Sequence, residues 1–208
     1  MLIRKEHIDG GLLGIWKMEE SREELFLLFP EHALHNTIEY VKKMRSERRI
    51  TEWLSTRILL FRLLGEEKTI LNRVDGKPFL EDSNVEISIS HTKDYVTIFL
   101  HDTSPVGIDI EIRSERVRKV ADKFISDKEY IDPSQETVHQ LLHWSAKESM
   151  FKLMEENEID FKDHLHIHPF TPASNGVITA TETKTTSNRT FCIHYEVHSE
   201  YVLTWVVG

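Results

Sequence analysis

Asp109 and Glu111 stand two residues apart within Val106-Gly107-Ile108-Asp109-Ile110-Glu111-Ile112. The alternation reads as a strand, with Val106, Ile108, Ile110 and Ile112 on one face and Gly107, Asp109 and Glu111 on the other. On a strand the two acidic Cα atoms lie roughly 6.6 Å apart and their side chains point the same way, so both can turn to one cation. Burial of the aliphatic face would hold the acidic face rigid, with Asp109 left accessible to solvent. Its replacement by alanine should then spare the fold. Gly107, with no Cβ, leaves room for a ligand to approach the backbone. A second set stands in Trp144-Ser145-Ala146-Lys147-Glu148-Ser149-Met150-Phe151-Lys152. On a helix Trp144, Glu148 and Lys152 share a face, and Lys147 sits about 100° round from Glu148. Alone, an Asp-x-Glu pair is most often a solvated strand face, and a Glu–Lys pair at this spacing a surface contact worth about 0.3 kcal/mol. Together, three carboxylates and lysines suit a hard divalent cation that neutralises a phosphate ester. Oxygen ligands hold Mg²⁺, and ammonium groups meet the remaining phosphate charge.

These residues belong to a chain of ordinary globular composition, 39% hydrophobic and 29% charged over 208 residues. That length builds a core in one domain or in two small ones. The lone Cys192 cannot close an intrachain disulfide, which fits a reducing compartment. Residues 1–11 carry Arg4, Lys5, Glu6 and Asp9 with no apolar run, so no secretory signal is expected and the expected location is cytoplasmic. No stretch reaches the ~20 apolar residues of a membrane span, because Arg62 cuts the run from Ile58 to Phe61. The formal charge of −9 argues against nucleic acid as a partner. The charge is uneven, however. Between Lys42 and Lys77 ten basic residues face five acidic ones, a local net of +5. That is either a solvated helix face or a pocket for a compact polyanion.

The elements that must position these groups follow from periodicity and punctuation. A short strand is expected at Gly14 to Met18, and the capping box Ser21-Arg22-Glu23-Glu24 opens a helix that stops before Pro30. A second helix runs from about Ser46 to Leu64 and ends at Gly65. Asp75-Gly76-Lys77-Pro78 is turn chemistry, and Val85–Ser90 and Tyr95–His101 read as two strands of a hairpin. After the central strand come a short helix over Val117 to Phe124 and a longer one from Pro133-Ser134 to about Glu156. The tail holds strands at Val177–Ala180, Thr190–Val197 and Tyr201–Val207. A helix with Trp53 and a following hairpin echo a helix with Trp144 and its hairpin, which sets Arg57 opposite Glu148. Two packed α/β halves with a cleft between them are the natural reading.

The motifs resemble those of the 4′-phosphopantetheinyl transferase superfamily. The match runs through Gly76-Lys77-Pro78, Ser88-Ile89-Ser90-His91, Val106 to Glu111, Phe124-Ile125-Ser126-Asp127-Lys128-Glu129 and Trp144 to Lys152, in that order. It covers about Arg48 to Lys152, and the tail carries no matching motif. The length is similar to the surfactin-synthetase-activating type, a monomer. The resemblance implies an α+β fold of two similar halves, residues 1–104 and 105–208, related by a pseudo-twofold. Each half would be a small antiparallel sheet packed with a long helix. It implies transfer of phosphopantetheine from coenzyme A to a serine of an apo acyl or peptidyl carrier protein, with release of adenosine 3′,5′-bisphosphate. Asp109, Glu111 and Glu148 would then hold Mg²⁺, for which Mn²⁺ can substitute. Glu148 or a water on the cation would take the serine proton, and Lys152 and Lys147 would hold pyrophosphate oxygens. Lys77, Ser90 and His91 carry over as contacts to the phosphates of the adenosine half. Arg49 and Arg57 join them on charge alone.

The carrier would dock at the second half. Arg113, Arg116, Arg118 and Lys119 would steer it, and Val117, Phe124 or Met150 would serve as apolar anchors. Two rival functions share the site: a non-catalytic coenzyme A or nucleotide sensor, and a Mg²⁺-dependent phosphohydrolase. His164-Leu165-His166-Ile167-His168 sets three imidazoles on one strand face, but with no fourth zinc ligand nearby in spacing it reads as an amphipathic strand.

Overall fold

A computed structural model describes residues 1–154, 156 and 158–208. Two antiparallel sheets carry the fold. The first has the order β1-β2-β6-β5, from β1 (Leu2–Ile8), β2 (Gly11–Lys17), β5 (Glu86–His91) and β6 (Tyr95–His101). The second has the order β7-β11-β10-β9-β8. It is built from β7 (Val106–Ile112), β8 (Leu165–Ile167), β9 (Asn175–Glu182), β10 (Thr190–Val197) and β11 (Tyr201–Val207). A small hairpin of β3 (Ile70–Asn72) and β4 (Pro78–Leu80) projects between them in sequence, its turn closed by Gly76 at φ 89°. Four helices complete the described elements: α1 (Arg22–Leu27), α2 (Glu31–Val41), α3 (Glu47–Leu64) and α4 (Glu136–Leu153).

The expected caps form. Ser21 and Glu24 make both bonds of the capping box at α1, Ser46 accepts from Arg49 N–H at α3, and Gly65 ends α3 at φ 74°. Three apolar clusters stack the elements into four layers. Ile50, Leu54 and Ile58 of α3 pack on Val96, Ile98 and Leu100 of the first sheet. Leu142, Ala146 and Met150 of α4 pack on Ile178, Ile193 and Val202 of the second. Between the sheets, Leu13, Ile15, Tyr95 and Phe99 meet Ile108, Ile110, Leu203 and Trp205. Alternation in β2, β7 and β11 thus feeds both a helix and the opposing sheet, so the central strands are buried on both faces.

Several expectations need correction. Residues 117–124 are not one helix but two 3₁₀ segments, Glu115–Lys119 and Ala121–Lys123. The long helix is shorter than expected, starting at Glu136 after a 3₁₀ turn and ending at Leu153; position 155, inside the expected span, lies outside the described residues. β1 and α2 are additions to the expected elements. In β1 most side chains are exposed, leaving little periodic signal, and α2 starts at Pro30 with no side-chain cap among the described residues.

Burial in α4 also sets a pH response. His143 is fully buried, hydrogen bonded through Nδ1 to His139 O at 2.9 Å and stacked against Phe170. Burial holds its pKa down at about 4, against opposing attraction from Glu129. The unfolded chain takes up this proton near pH 6.5 and the folded one does not. Stability from this group is therefore complete above about pH 6.5 and falls as pH drops toward 4, by up to about 3 kcal/mol. Urea midpoints of the wild type and His143→Phe at pH 7, 5.5 and 4.5 check this: the variant should show the shallower fall.

Candidate active site at the seam of the two sheets

β7 is an edge strand of the second sheet, and it lies against β5, an edge strand of the first. Unpaired edge groups there are met by side chains, as a protected edge requires. Ile108 N–H donates to Ser88 Oγ at 3.0 Å, and Ile108 O accepts from Lys152 Nζ at 2.9 Å. α4 runs antiparallel to β7 across its acidic face, with Trp144 over Glu111 and Lys152 over Asp109. Gly107 makes this approach possible. A Cβ there would stand 1.9 Å from Ser149 O, so the space expected for a ligand is filled by the helix backbone. A hydroxyl cluster locks the same contact: Ser145 Oγ and Ser149 Oγ lie 2.9 and 2.7 Å from Thr204 Oγ1 on β11.

Asp109 is only 3% exposed, not on an open face. Its Oδ1 accepts from Ser90 Oγ and from Lys152 Nζ, each at 2.8 Å, while Oδ2 is buried and accepts no hydrogen bond among the described residues. Trp144 Nε1 donates to Glu111 Oε1 at 2.8 Å. Burial first, then the charges of Asp109 and Glu148, push Glu111 up to about 7. Glu148 is pushed up to about 7 by burial and then by Asp109. Three half-buried or buried carboxylates, two of them raised by burial and by the charge of Asp109 and the third with an orphaned oxygen, form a donor set suited to a hard divalent cation. Among the described residues no three acidic, histidine or cysteine side chains already encircle a common point. The fit therefore rests on charge and donor type.

Lys147 does not join this set. It is fully buried on the other side of α4, where Nζ donates to Glu129 at 2.8 Å, to Phe124 O at 2.6 Å and to Phe161 O at 3.0 Å. All three ammonium donors are spent on protein, so none is left for a phosphate. Glu129 ends one of the matched motifs, but its role as the partner of Lys147 is not foreseen from the sequence. It also accepts from Ser126 N–H and Ile167 N–H, and tells of its role only through the charge it offers a buried lysine.

Two adjoining clefts lead away from the seam. One, of about 290 Å³, is lined by Arg73, Lys77, Ser88, Phe151 and Lys152. Lys77 Nζ also donates to Met154 O at the end of α4. The other, of about 680 Å³, is lined by Arg49, Arg57, His91 and Glu52; Pro78 and Ile89 border both. The predicted nucleotide contacts are thus divided: Arg49, Arg57 and His91 share one cleft, Lys77 lies with Lys152 in the other, and Ser90 is bound to Asp109. Glu52, unforeseen, is buried and holds Arg48 at 2.7 Å and His91 at 3.5 Å. Its spacing four residues after Arg48 was the available signal. Burial lowers the Arg57 pKa to about 10, the mark of a guanidinium kept from water.

A third groove, of about 830 Å³, crosses from Arg48 and Lys93 to Arg116, Val117, Val120 and Phe124, with Glu111 and Trp144 in its wall. Arg118, a predicted steering group, is engaged by Glu115 at 3.3 Å and Glu136 at 2.7 Å. Met150, a predicted anchor, is fully buried.

Residues 105–206 match the family model described as the 4′-phosphopantetheinyl transferase superfamily. That match takes in the tail strands, where no motif was legible. The chain is 35% identical over 82 residues to the 4′-phosphopantetheinyl transferase gsp of Aneurinibacillus migulanus, covering 37% of this chain and 34% of the relative. It is 34% identical over 83 residues to the 4′-phosphopantetheinyl transferase of Bacillus subtilis, 37% of each chain. It is 30% identical over 112 residues to 4′-phosphopantetheinyl transferase AcpT of Salmonella typhimurium, 50% of this chain and 58% of the relative. Each match covers less than two thirds of the relative's length. Among the described residues no helix is long and apolar enough to cross a membrane.

Proposed function

We propose, because the chain belongs through residues 105–206 to the 4′-phosphopantetheinyl transferase superfamily, that it moves phosphopantetheine from coenzyme A to a carrier-protein serine. The observation that carries this reading is Asp109: a buried carboxylate with one orphaned oxygen, between two carboxylates that feel its charge, beside cation-lined clefts. In this reaction the serine oxygen attacks the pantetheine-side phosphorus. The bond from that phosphorus to the nucleotide oxygen breaks, adenosine 3′,5′-bisphosphate leaves, and Glu148 accepts the serine proton. Asp109, Glu111 and Glu148 would hold Mg²⁺, which supplies charge neutralisation at the pyrophosphate. Lys152 and Lys77 meet pyrophosphate oxygens, and Arg49, Arg57 and His91 the 3′-phosphate; positioning and electrostatics supply most of the rate. Residues 1–104 serve the nucleotide, residues 105–208 serve the chemistry, and a single chain suffices. Incubation with coenzyme A and an apo-carrier, followed by intact mass, tests the reading. A heavier carrier supports it, coenzyme A cleavage with an unchanged carrier indicates a hydrolase, and binding alone a sensor.

The two clefts predict different substrate responses. His91→Ala should weaken coenzyme A about tenfold, the loss of one charge-assisted contact, and leave dephospho-coenzyme A nearly untouched. Lys77→Ala should weaken both alike. Steady-state KM for the two substrates checks this, and equal losses in His91→Ala would move the 3′-phosphate elsewhere.

The third groove fits the carrier: Arg48, Lys93 and Arg116 surround an apolar floor and Glu111 lies at its wall. Steering by such groups acts on association rate and is screened over about 8 Å at physiological ionic strength. Lys93→Glu with Arg116→Glu should raise the carrier KM about tenfold and leave that for coenzyme A unchanged. An unchanged carrier KM would move the docking surface away from this groove.

A further inference from the structure

Arg48 and Arg49 are neighbours at the start of α3, yet Arg48 lines the third groove and Arg49 the cleft with His91. A helix turns about 100° per residue, so consecutive side chains face apart. The turn after β5 is divided in the same way, with His91 in the cleft, and Thr92 and Lys93 in the groove. Glu52 joins the two sides. It is 8% exposed, and its Oε1 lies 2.7 Å from Arg48 Nε and 3.5 Å from His91 Nδ1. Arg57, across the cleft, is fixed 3.6 Å from the Trp53 ring centroid, where a cavity of about 450 Å³ between α2 and α3 adjoins. Among the described residues the His91 side chain has no such ring contact, and Glu52 is what holds it. A carboxylate in a cleft for phosphate opposes its ligand by like charge unless a cation cancels it. Arg48 is that cation, and it stands in the other recess. The mechanism above gives Glu52 no task.

We propose that Glu52 is a positioning residue that couples the nucleotide cleft to the carrier groove, one oxygen holding His91 for the 3′-phosphate and Arg48 for the carrier. The proposal rests on the transferase reading above and adds the link between its two substrates. Glu52 engages Nδ1 of His91, so Nε2 is the nitrogen left for a phosphate oxygen. Arg48, held through Nε, keeps its terminal nitrogens for an acidic group of the carrier. Each recess then depends on a residue of the other. Loss of Arg48 from the groove uncovers the Glu52 charge beside the phosphate, and loss of Glu52 releases both side chains. The four-residue spacing of Arg48 and Glu52 also describes an ordinary helix-surface pair. Such a pair sets no link of this kind, because its acid is exposed and meets a single partner.

The test is calorimetric titration of the whole chain and its variants with coenzyme A and with dephospho-coenzyme A, which lacks the 3′-phosphate. Arg48→Met, at a mostly exposed side chain, should weaken coenzyme A about fivefold, the low end of coupling between sites. Dephospho-coenzyme A should bind it as it binds the wild type. Adding Glu52→Gln, which keeps an acceptor for His91 and removes the charge, should return coenzyme A to within about twofold of the wild type. Glu52→Ala should weaken coenzyme A and raise the steady-state KM for the carrier together. If Glu52→Ala melts early, Arg48→Met and its pairing with Glu52→Gln decide the question. An unchanged coenzyme A affinity in Arg48→Met, an equal loss for both ligands, or a loss that Glu52→Gln does not reverse overturns the proposal and leaves the transferase reading standing. Failure of the wild type to bind coenzyme A at all overturns both.

Discussion

Asp109→Ala is expected to lower kcat for carrier modification by about a thousandfold or more, the scale of losing a group that organises charge at a phosphoryl transfer. It should also cost stability, contrary to what an exposed strand face would imply. Asp109 is 3% exposed and receives both Ser90 and Lys152 at 2.8 Å. Removing it strands an ammonium under α4, and hydrogen bonds to charged groups contribute about 1.5–3 kcal/mol. Asp109→Asn separates the two effects, since it keeps the shape and one acceptor oxygen while removing the charge. Its unfolding should lie nearer the wild type while its rate stays at the level of the alanine variant. Intact-mass kinetics and urea unfolding on both variants check this. A wild-type rate in Asp109→Asn at ordinary Mg²⁺ would sink the metal assignment.

Gly107→Ala should be among the most damaging single-methyl changes in the chain. The added Cβ would meet Ser149 O at 1.9 Å and Ser149 C at 2.9 Å, both backbone atoms, with Val206 at 3.2 Å. No rotamer change relieves a backbone clash, so α4 must lift from β7. Overpacking of this kind costs about 3 kcal/mol or more, or roughly 6–12 °C in Tm for a chain of this size. Activity should fall too, because Trp144, Glu148 and Lys152 ride on the displaced helix. Thermal unfolding and carrier modification are the measurements. A variant that melts with the wild type would show that the helix can shift without cost.

Much of this geometry is readable from the residues. The alternation of Val106 to Ile112 locates the acidic face, and the spacing of Trp144, Glu148 and Lys152 locates the helix stripe that covers it. Their 33 to 43 positions of separation say nothing of contact, and the pairing of Lys152 with Asp109 is visible only in the folded chain. Lys147 escapes such reading because helical spacing fixes an angle and not a direction. Which side meets the sheet depends on Gly107, Ser145, Ser149 and Thr204, and a lysine on the core side is exceptional unless a partner such as Glu129 is buried with it. Gly107 itself suggests room for a ligand, since a missing Cβ looks the same whichever backbone comes close. α2 is hard to see although Ala33, Thr37 and Val41 repeat at helical spacing, because Pro30 replaces the usual capping side chain. With α2 unseen, the cavity it walls is hidden as well.

The apolar layer between the sheets has a consequence for anyone who would work with a piece of this molecule. The segment from Pro105 onward carries Ile108, Ile110, Leu203 and Trp205 on a surface whose cover is Leu13, Ile15, Tyr95 and Phe99 of the earlier residues. Expressed alone, it would offer water a broad oily plane and a carboxylate, Asp109, that has lost Ser90. Such a fragment would seek a second sheet to lie on, its own copy included, and would come out of solution or self-associate before it could be assayed. The region that carries the family likeness is therefore not a cassette that can be moved by itself. It is one leaf of a closed book, legible as chemistry only while the other leaf is pressed against it.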